Sequence, residues 1–237
     1  MRIRVGLENG DEDRSVVWFL EYPGCFAYGK TPEEALTSAP QALREYAAWI
    51  QGHAGETGLV PEAFEISVDE SWQVFTLDEN FDMADNGYTV NAWFRHDWKP
   101  LKSEEVESCL KILSWSRRDL EEIARHLDRE KLDRQFPGER WSIDGILRHV
   151  ASAEWWYLDN LGLAFPKDEL PQDTWERLDK VRRLMVDKMA SFAGSSQVVG
   201  RKGEFWSPRK VLRRAAWHER DHTGHIRKLL SGKGSAS

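Results

Sequence analysis

Residues 208–231 impose the tightest condition on what this chain can fold into. Val211, Ala215, His218, His222, His225 and Leu229 follow one another at intervals of 4, 3, 4, 3 and 4. That is the spacing by which a bundle helix keeps one seam turned toward its neighbours. Here imidazoles stand where Leu or Ile is usual, and a buried polar nitrogen costs free energy unless it finds a partner. Histidines at i and i+4 lie one above the other on a helix and can reach one cation. Two such ligands are not a complete protein set, so a third donor has to come from another segment.

His149 is the leading third candidate. It sits in WSIDGILRHVASAEWWYLDNL, near the start of an earlier helix, and shares a face with Ile146, Ala153 and Trp156. Trp156 is therefore the tryptophan expected to line a pocket. His225, one turn beyond His222, is the alternative ligand. Three ligands from one straight helix surround a tetrahedral ion poorly, which leaves His225 as a pocket residue or a support to the ligands. His53, His96 and His126 read as solvated. The rival reading keeps each seam histidine as a hydrogen-bonded core residue without an ion.

His218-Glu219-Arg220-Asp221-His222 also spells HExxH, the zinc-protease signature. In those enzymes the glutamate activates the water and the third ligand follows downstream. Only 15 residues follow His222, and His225 is the sole ligand-type side chain among them. Glu219 is rotated about 100° from His218, toward the bundle flank, where Arg or Lys can pair with it. A metalloprotease is thus the weaker alternative. The candidate catalytic groups are Glu154, Tyr157 and Asp221. Glu154 lies about 140° from His149 around the helix and serves equally well as a salt-bridge partner. Asp221 can orient an imidazole or pair with Arg220 or Arg227.

Helical patterns cover 103–131, 142–162, 172–193 and 207–231, separated by turn-rich FPGER, FPKDELPQD and AGSSQVVGRKGEFW. Ser103, Ser142 and Ser207 supply N-caps, the last followed by Pro208 in the first turn. Four such helices predict a four-helix bundle over 101–231. Within the terminal SGKGSAS, residues 232–237 are expected to form a disordered tail.

Residues 1–100 differ in both charge and period. They hold 7 basic and 18 acidic residues, a net −11, while the remainder is +4. MRIRVGL and SVVWFLEY flank the turn-rich NGDEDR and predict a hairpin. TPEEALTSAPQALREYAAWIQG predicts a helix with Thr31 as cap, Pro32 in the first turn, Glu34 closing a capping box, an interruption at Pro40 and a stop at Gly52. FEISV, WQVFTL and YTVNAWF predict three more strands, with DENFDMADNG as the loop before the last. The expected fold class is α+β: a small N-terminal antiparallel sheet with one packed helix, then an all-α four-helix bundle. DWKPLKSEEV marks the boundary.

Two family resemblances attach to these stretches. YPGCFAYGKTPEEALTSAPQAL resembles the core of HicB-like domains, which implies a small sheet with a packed helix. It also implies an antitoxin-like regulator that binds a small protein; the plainer reading is a packing or dimerisation domain, with a homo-oligomer among the outcomes. RWSIDGILRHVASAEWWY followed by RRAAWHERDHTGHIRKLL resembles the DinB-like (YfiT-like) four-helix metalloproteins. Trp141, Ser142, Leu147, His149, Glu154 and Tyr157 match the first part of that pattern, and His218, Glu219, His222 and Gly224 the second. His225 stands where glutamine is common. The resemblance implies a divalent ion on His149, His218 and His222 with an open coordination position. It also implies a transferase using a low-molecular-weight thiol, or a hydrolase, acting on a small molecule. A non-catalytic module with a structural metal is the alternative.

Imidazole ligands suit Zn or Ni, and also Fe or Cu. The acidic first part lacks the clustered cations that counterion release requires, so nucleic acid is not an expected partner. No apolar run approaches the ~18 residues of a membrane span, and MRIRVGLENGDED has no signal core. Cys25 and Cys109 lack metal spacing and read as buried or free thiols of a cytoplasmic protein.

Overall fold

The computed structural model describes residues 1–55, 60, 61 and 63–232. The chain divides into two compact units. Met1–Lys99 joins Val198–Lys210 in the first, and Pro100–Gln197 joins the chain from Val211 onward in the second.

In the first unit β1 (Arg2–Asp11) and β2 (Arg14–Phe19) form the expected antiparallel hairpin. Its two turn residues, Glu12 and Asp13, both have positive φ, 51° and 57°. That mirror-image turn matches the right-handed twist of the flanking strands. β3 (Phe26–Gly29) continues the sheet, and α1 (Pro32–Ala54) follows at once. A Cβ on Gly29 would stand 2.2 Å from the Ala35 nitrogen, so glycine is what lets helix and strand approach here. The Thr31 hydroxyl accepts from Glu34 N at 3.2 Å, and the Glu34 carboxylate accepts from Lys30 N at 2.8 Å. α1 runs through Pro40 without ending and stops at left-handed Gly55 rather than Gly52. Its buried face, Ala35, Ala39, Leu43, Tyr46 and Ile50, packs on the sheet.

β4 (Glu65–Gln73) corrects the expected antiparallel sheet. The strand order is β3-β2-β1-β4, and β4 runs parallel to β1. The cause is the helix: α1 carries the chain from the β3 edge to the opposite edge, and a crossover of that length is what parallel pairing needs. The sheet is therefore mixed, within an α+β architecture. β5 (Phe75–Leu77) and β6 (Tyr88–Val90) form a separate two-stranded ribbon around the acidic loop 78–87.

The stretch read from sequence as a link between bundle helices belongs to this unit. β7 (Val199–Arg201) and β8 (Glu204–Trp206) make a tight hairpin through Lys202 and Gly203, φ 52° and 78°. Glu204 accepts from the Tyr88 hydroxyl at 2.7 Å and from Lys210 Nζ at 2.6 Å. The Ser207 hydroxyl donates to the Asp97 carbonyl, and Arg209 Nε to the Lys99 carbonyl at 2.9 Å. Three-residue strands carry too little periodicity to be seen in the sequence.

The second unit is the four-helix bundle. Its long helices are α2 (Ser103–Ala124), α4 (Ile143–Asn160), α5 (Thr174–Met189) and α6 (Pro208–Leu230), with the short α3 (Arg129–Asp133) before α4. The expected helix over 103–131 ends early because Asp128 caps a new one, accepting from Lys131 N at 2.9 Å. Ser142, Asp173 and Ser207 cap α4, α5 and α6. Leu120, Ile146, Leu147, Leu178 and Ile226 meet in the shared core. Cys25 and Cys109 are buried and not joined in a disulfide. Of the tail read as disordered, 233–237 lies outside the described residues, and Gly232 N still bonds the Leu229 carbonyl at 3.3 Å. No helix among the described residues is long and apolar enough to cross a membrane.

The Lys210–Glu204 pair has both side chains fully shielded from water. Replacing Lys210 by Met leaves a buried carboxylate without its cation, a change that costs about 3–5 kcal/mol. Urea denaturation of Lys210→Met is expected to show that loss. Adding Glu204→Gln to it is expected to recover part of the loss, because the stranded charge is gone.

Candidate metal centre

α4 and α6 bring three imidazoles to one point. His149 projects from the second turn of α4, behind the Ser142 cap, and His218 and His222 stand one turn apart on α6. His218 Nε2 lies 3.0 Å from His149 Nε2 and 3.1 Å from His222 Nε2. The three ligand atoms lie within 4.8 Å of one another. Among the described residues this is the one cluster of three or more such side chains able to share an ion.

Hydrogen bonding alone does not explain that convergence. A ring nitrogen of neutral imidazole carries either one proton or one lone pair. His218 Nε2 faces two other nitrogens and can serve only one of them. A cation accepts all three lone pairs together. Metal–nitrogen bonds of about 2.0–2.1 Å in a tetrahedron put ligand atoms about 3.3 Å apart, close to the two short separations here. Burial pushes the His218 imidazole well below its ordinary pKa, and His222, His149 and Arg214 act in the same direction. It is therefore held neutral, the form that binds metal.

Aromatic rings frame the cluster. Trp141 stacks on His149, with centroids 4.4 Å apart and planes inclined by 27°. Gly145 permits this, since a Cβ there would stand 2.9 Å from that of Trp141. Tyr157 and His218 meet nearly perpendicular with ring centroids 6.1 Å apart, and the Trp217 centroid lies 5.4 Å from that of His218. Arg214, also buried, places its guanidinium 4.7 Å from the Trp217 ring. His149 and His222 are only half-buried, so the cluster is not sealed from solvent.

Glu219 turns away from the histidines. Its carboxylate accepts from Arg117 Nε and Arg182 Nη2, each at 2.7 Å, and is 1% exposed. Arg182 also pairs with Glu154, at 2.7 and 3.0 Å, and Arg117 Nη2 approaches Glu154 at 3.8 Å. Four charges, one from each long helix, thus neutralise one another inside the bundle. Burial alone would raise the Glu219 pKa, but Arg117 and Arg182 outweigh it and hold the carboxyl below its usual range. A carboxylate committed to two guanidiniums is not a free base, which removes the protease reading of HExxH. The same network corrects the catalytic candidacy of Glu154.

The remaining candidates divide. Tyr157 is beside the cluster. Asp221 is half-buried on α6, and of its two expected cationic partners Arg227 instead approaches Asp119, at 3.9 Å. His225 stands apart from the three-imidazole cluster, and its Nε2 lies 2.9 Å from Glu139 Oε2. Trp156 packs with Trp155, Leu170 and Val181, and its ring centroid lies 5.7 Å from that of Tyr157. His96, expected in solvent, is buried 3.3 Å from an Arg209 nitrogen, because its short helical turn is covered within the first unit. His53 is half-buried against Trp49, and His126 is exposed as expected. Sequence reasoning missed the stacking role of Trp141 and the part played by Glu139. The Trp-Ser start of α4 could have signalled the first; nothing local signalled the second.

Comparison with known proteins finds one family match and two similar structures. The sequence profile of the DinB superfamily matches residues 112–226. No curated protein matches the chain. Among solved structures, TT2238, a four-helix bundle protein, is similar at 23% identity and a TM-score of 0.42, covering 52% of this chain and 98% of that one. YfiT from Bacillus subtilis, "a probable metal-dependent hydrolase with an unusual four-helix bundle topology", is similar at 17% identity and a TM-score of 0.44, covering 59% and 95%.

Two outcomes are expected. Glu219→Gln weakens two buried ion pairs and lowers the urea midpoint, while one metal ion per chain still binds by elemental analysis. A variant that folds as well as the parent yet loses the ion would overturn this division of roles. Second, His218 is held well below 6.5, and His96 is lowered to about 4 by burial and then Arg209. The unfolded chain therefore binds more protons than the folded one below about pH 6.5. The stability of metal-free protein is expected to fall as pH drops from 7 toward 5, and a flat urea midpoint over that range would contradict it.

Proposed function

We propose that this chain is a metal-dependent enzyme acting on a small molecule, as a hydrolase or as a transferase using a low-molecular-weight thiol. The observation that carries this reading is the meeting of three Nε2 atoms from two distant segments. Zn or Ni is the ion proposed, with Fe and Cu compatible with the same ligands. A bound divalent ion supplies Lewis acidity and favours the deprotonated form of a water or thiol beside it.

The protein's own residues do the rest. His149, His218 and His222 hold the ion with neutral nitrogens, and Trp141 fixes the plane of His149 by stacking. Tyr157 brings a ring and a hydroxyl to the same neighbourhood and is the catalytic candidate retained. The charge cluster around Glu219 fixes the rotation of α6, which keeps both its histidines on the α4 side.

The half-burial of His149 and His222 favours a working ion over a structural one, since small molecules can approach. The DinB superfamily match over this region supports a metal-binding protein. For the first unit we propose a packing or partner-binding role, on the strength of its HicB-like strand, glycine turn and helix.

The full chain is expected to bind one Zn²⁺ or Ni²⁺ by elemental analysis, and His218→Ala or His149→Ala to abolish that. Structural zinc sites supply about 10–16 kcal/mol of apparent binding energy to folding. Chelation is expected to leave the helical circular dichroism of this protein intact, because its core and charge cluster do not include the ion. Unfolding on chelation would favour a structural ion. Turnover assays with an ester, and with glutathione plus 1-chloro-2,4-dinitrobenzene, then separate hydrolase from transferase.

A further inference from the structure

The segment just before α4 reaches the metal centre at two places. Phe136-Pro137-Gly138-Glu139 is a tight turn: Glu139 N donates to the Phe136 carbonyl at 3.2 Å, and Gly138 has φ 78°. Proline at the second position and a left-handed glycine at the third are what a type II turn requires. The Gln135 side chain braces it by donating to the Glu139 carbonyl at 2.6 Å. Beyond the turn, Arg140 lies over Trp141 at 4.6 Å, and Trp141 stacks on the ligand His149. The turn itself delivers the Glu139 carboxylate to His225.

His225 follows His222 by one helical turn, with ring centroids 6.3 Å apart. It is about one-third exposed, whereas Glu139 is mostly shielded. A carboxylate only accepts hydrogen bonds, so in this 2.9 Å contact the proton belongs to His225 Nε2. In neutral imidazole that choice leaves Nδ1 as the ring's acceptor. Glu139 therefore fixes both the tautomer and the orientation of a polar ring beside the metal ligands.

We propose that Glu139 and His225 form a ligand-positioning dyad at this centre. His225 Nδ1 receives a hydrogen bond from an O–H or N–H group of the small molecule held there, and Glu139 is the positioning residue that acts through it. The ligand class this selects is protic: an alcohol, an amide, a hydroxamate or water, rather than an ether or a tertiary amine. The inference rests on the metal reading above.

The test uses full-length cobalt(II)-loaded protein and acetohydroxamic acid, which ligates metals through two oxygens and retains an N–H. Binding is followed by the visible cobalt spectrum. His225→Leu and Glu139→Leu are expected to keep one cobalt per chain and to weaken the probe about three- to tenfold, the value of one hydrogen bond. His225→Gln keeps a donor and an acceptor and is expected to restore binding to within about twofold of wild type. In the zinc-loaded protein, ¹⁵N-histidine NMR is expected to show residue 225 protonated on Nε2, and Glu139→Leu to relax that preference. Equal probe binding by His225→Leu and wild type overturns the dyad, as does an Nδ1-protonated tautomer. Wild type that takes up cobalt but ignores the probe overturns the dyad and leaves the metal site standing. Wild type that takes up no cobalt removes both.

Discussion

Arg117, Glu154, Arg182 and Glu219 come from four different helices and meet where the bundle would ordinarily bury leucines. Bringing four charges out of water is expensive, and the mutual attraction offsets the cost only if geometry and hydrogen bonding are good. Here most of it is: Arg182 grips Glu154 through two nitrogens, Glu219 is shared by both arginines, and one further nitrogen of each guanidinium reaches a backbone carbonyl, Leu113 or Leu178, while Arg117 Nη2 has only the 3.8 Å approach to Glu154. Such a cluster adds little net stability over apolar packing. What it adds is selectivity, since any rotation or slip of one helix leaves a buried charge unpaired.

That selectivity has a direct consequence for α6. Consecutive helical residues are turned by about 100°, so fixing Glu219 toward the arginines fixes His218 and His222 toward α4. Thr223, one turn after Glu219, donates to its carbonyl at 2.7 Å and continues the same closed face. One helix thus presents two polar faces of opposite character. The face with Glu219 is buried, its charges paired with one another. The face with the histidines is rich in lone pairs, and it is half open. Only the second has anything left to offer a cation.

The legible part of this protein was the part carried by periodicity. The 4-3-4 spacing of α6 and the apolar face of α4 picked out His149, His218 and His222 as rings that could converge, as they do, because a helix converts sequence spacing directly into direction. Thr31, Ser142 and Ser207 were legible as caps for a similar reason: their chemistry is local. The parallel β1–β4 pairing was not, since parallel and antiparallel strands have the same alternation and only the path of the chain distinguishes them. The β7–β8 hairpin escaped because two strands of three residues look like a loop. Glu139 escaped because its relation to His225 spans 86 residues, and a Pro-Gly turn announces a reversal without saying where the next side chain will land.

The HExxH letters illustrate how far a motif can be trusted. In a helix the glutamate next to a ligand histidine must lie about a quarter-turn from it, and whether that quarter-turn faces the ion or a neighbouring helix is decided by residues outside the motif. Here Arg117 and Arg182 decide it. They lie 102 and 37 residues away in sequence from Glu219, and each sits on an unremarkable stretch of charged helix. Their guanidiniums claim the carboxylate completely, so the proton-transfer role must go to another group or to none. Arg214, Tyr157 and His225 are polar side chains that the fold places beside the three imidazoles, one from α4 and two from α6. The chemistry open to this centre is set by what these groups and the three imidazoles can hold between them.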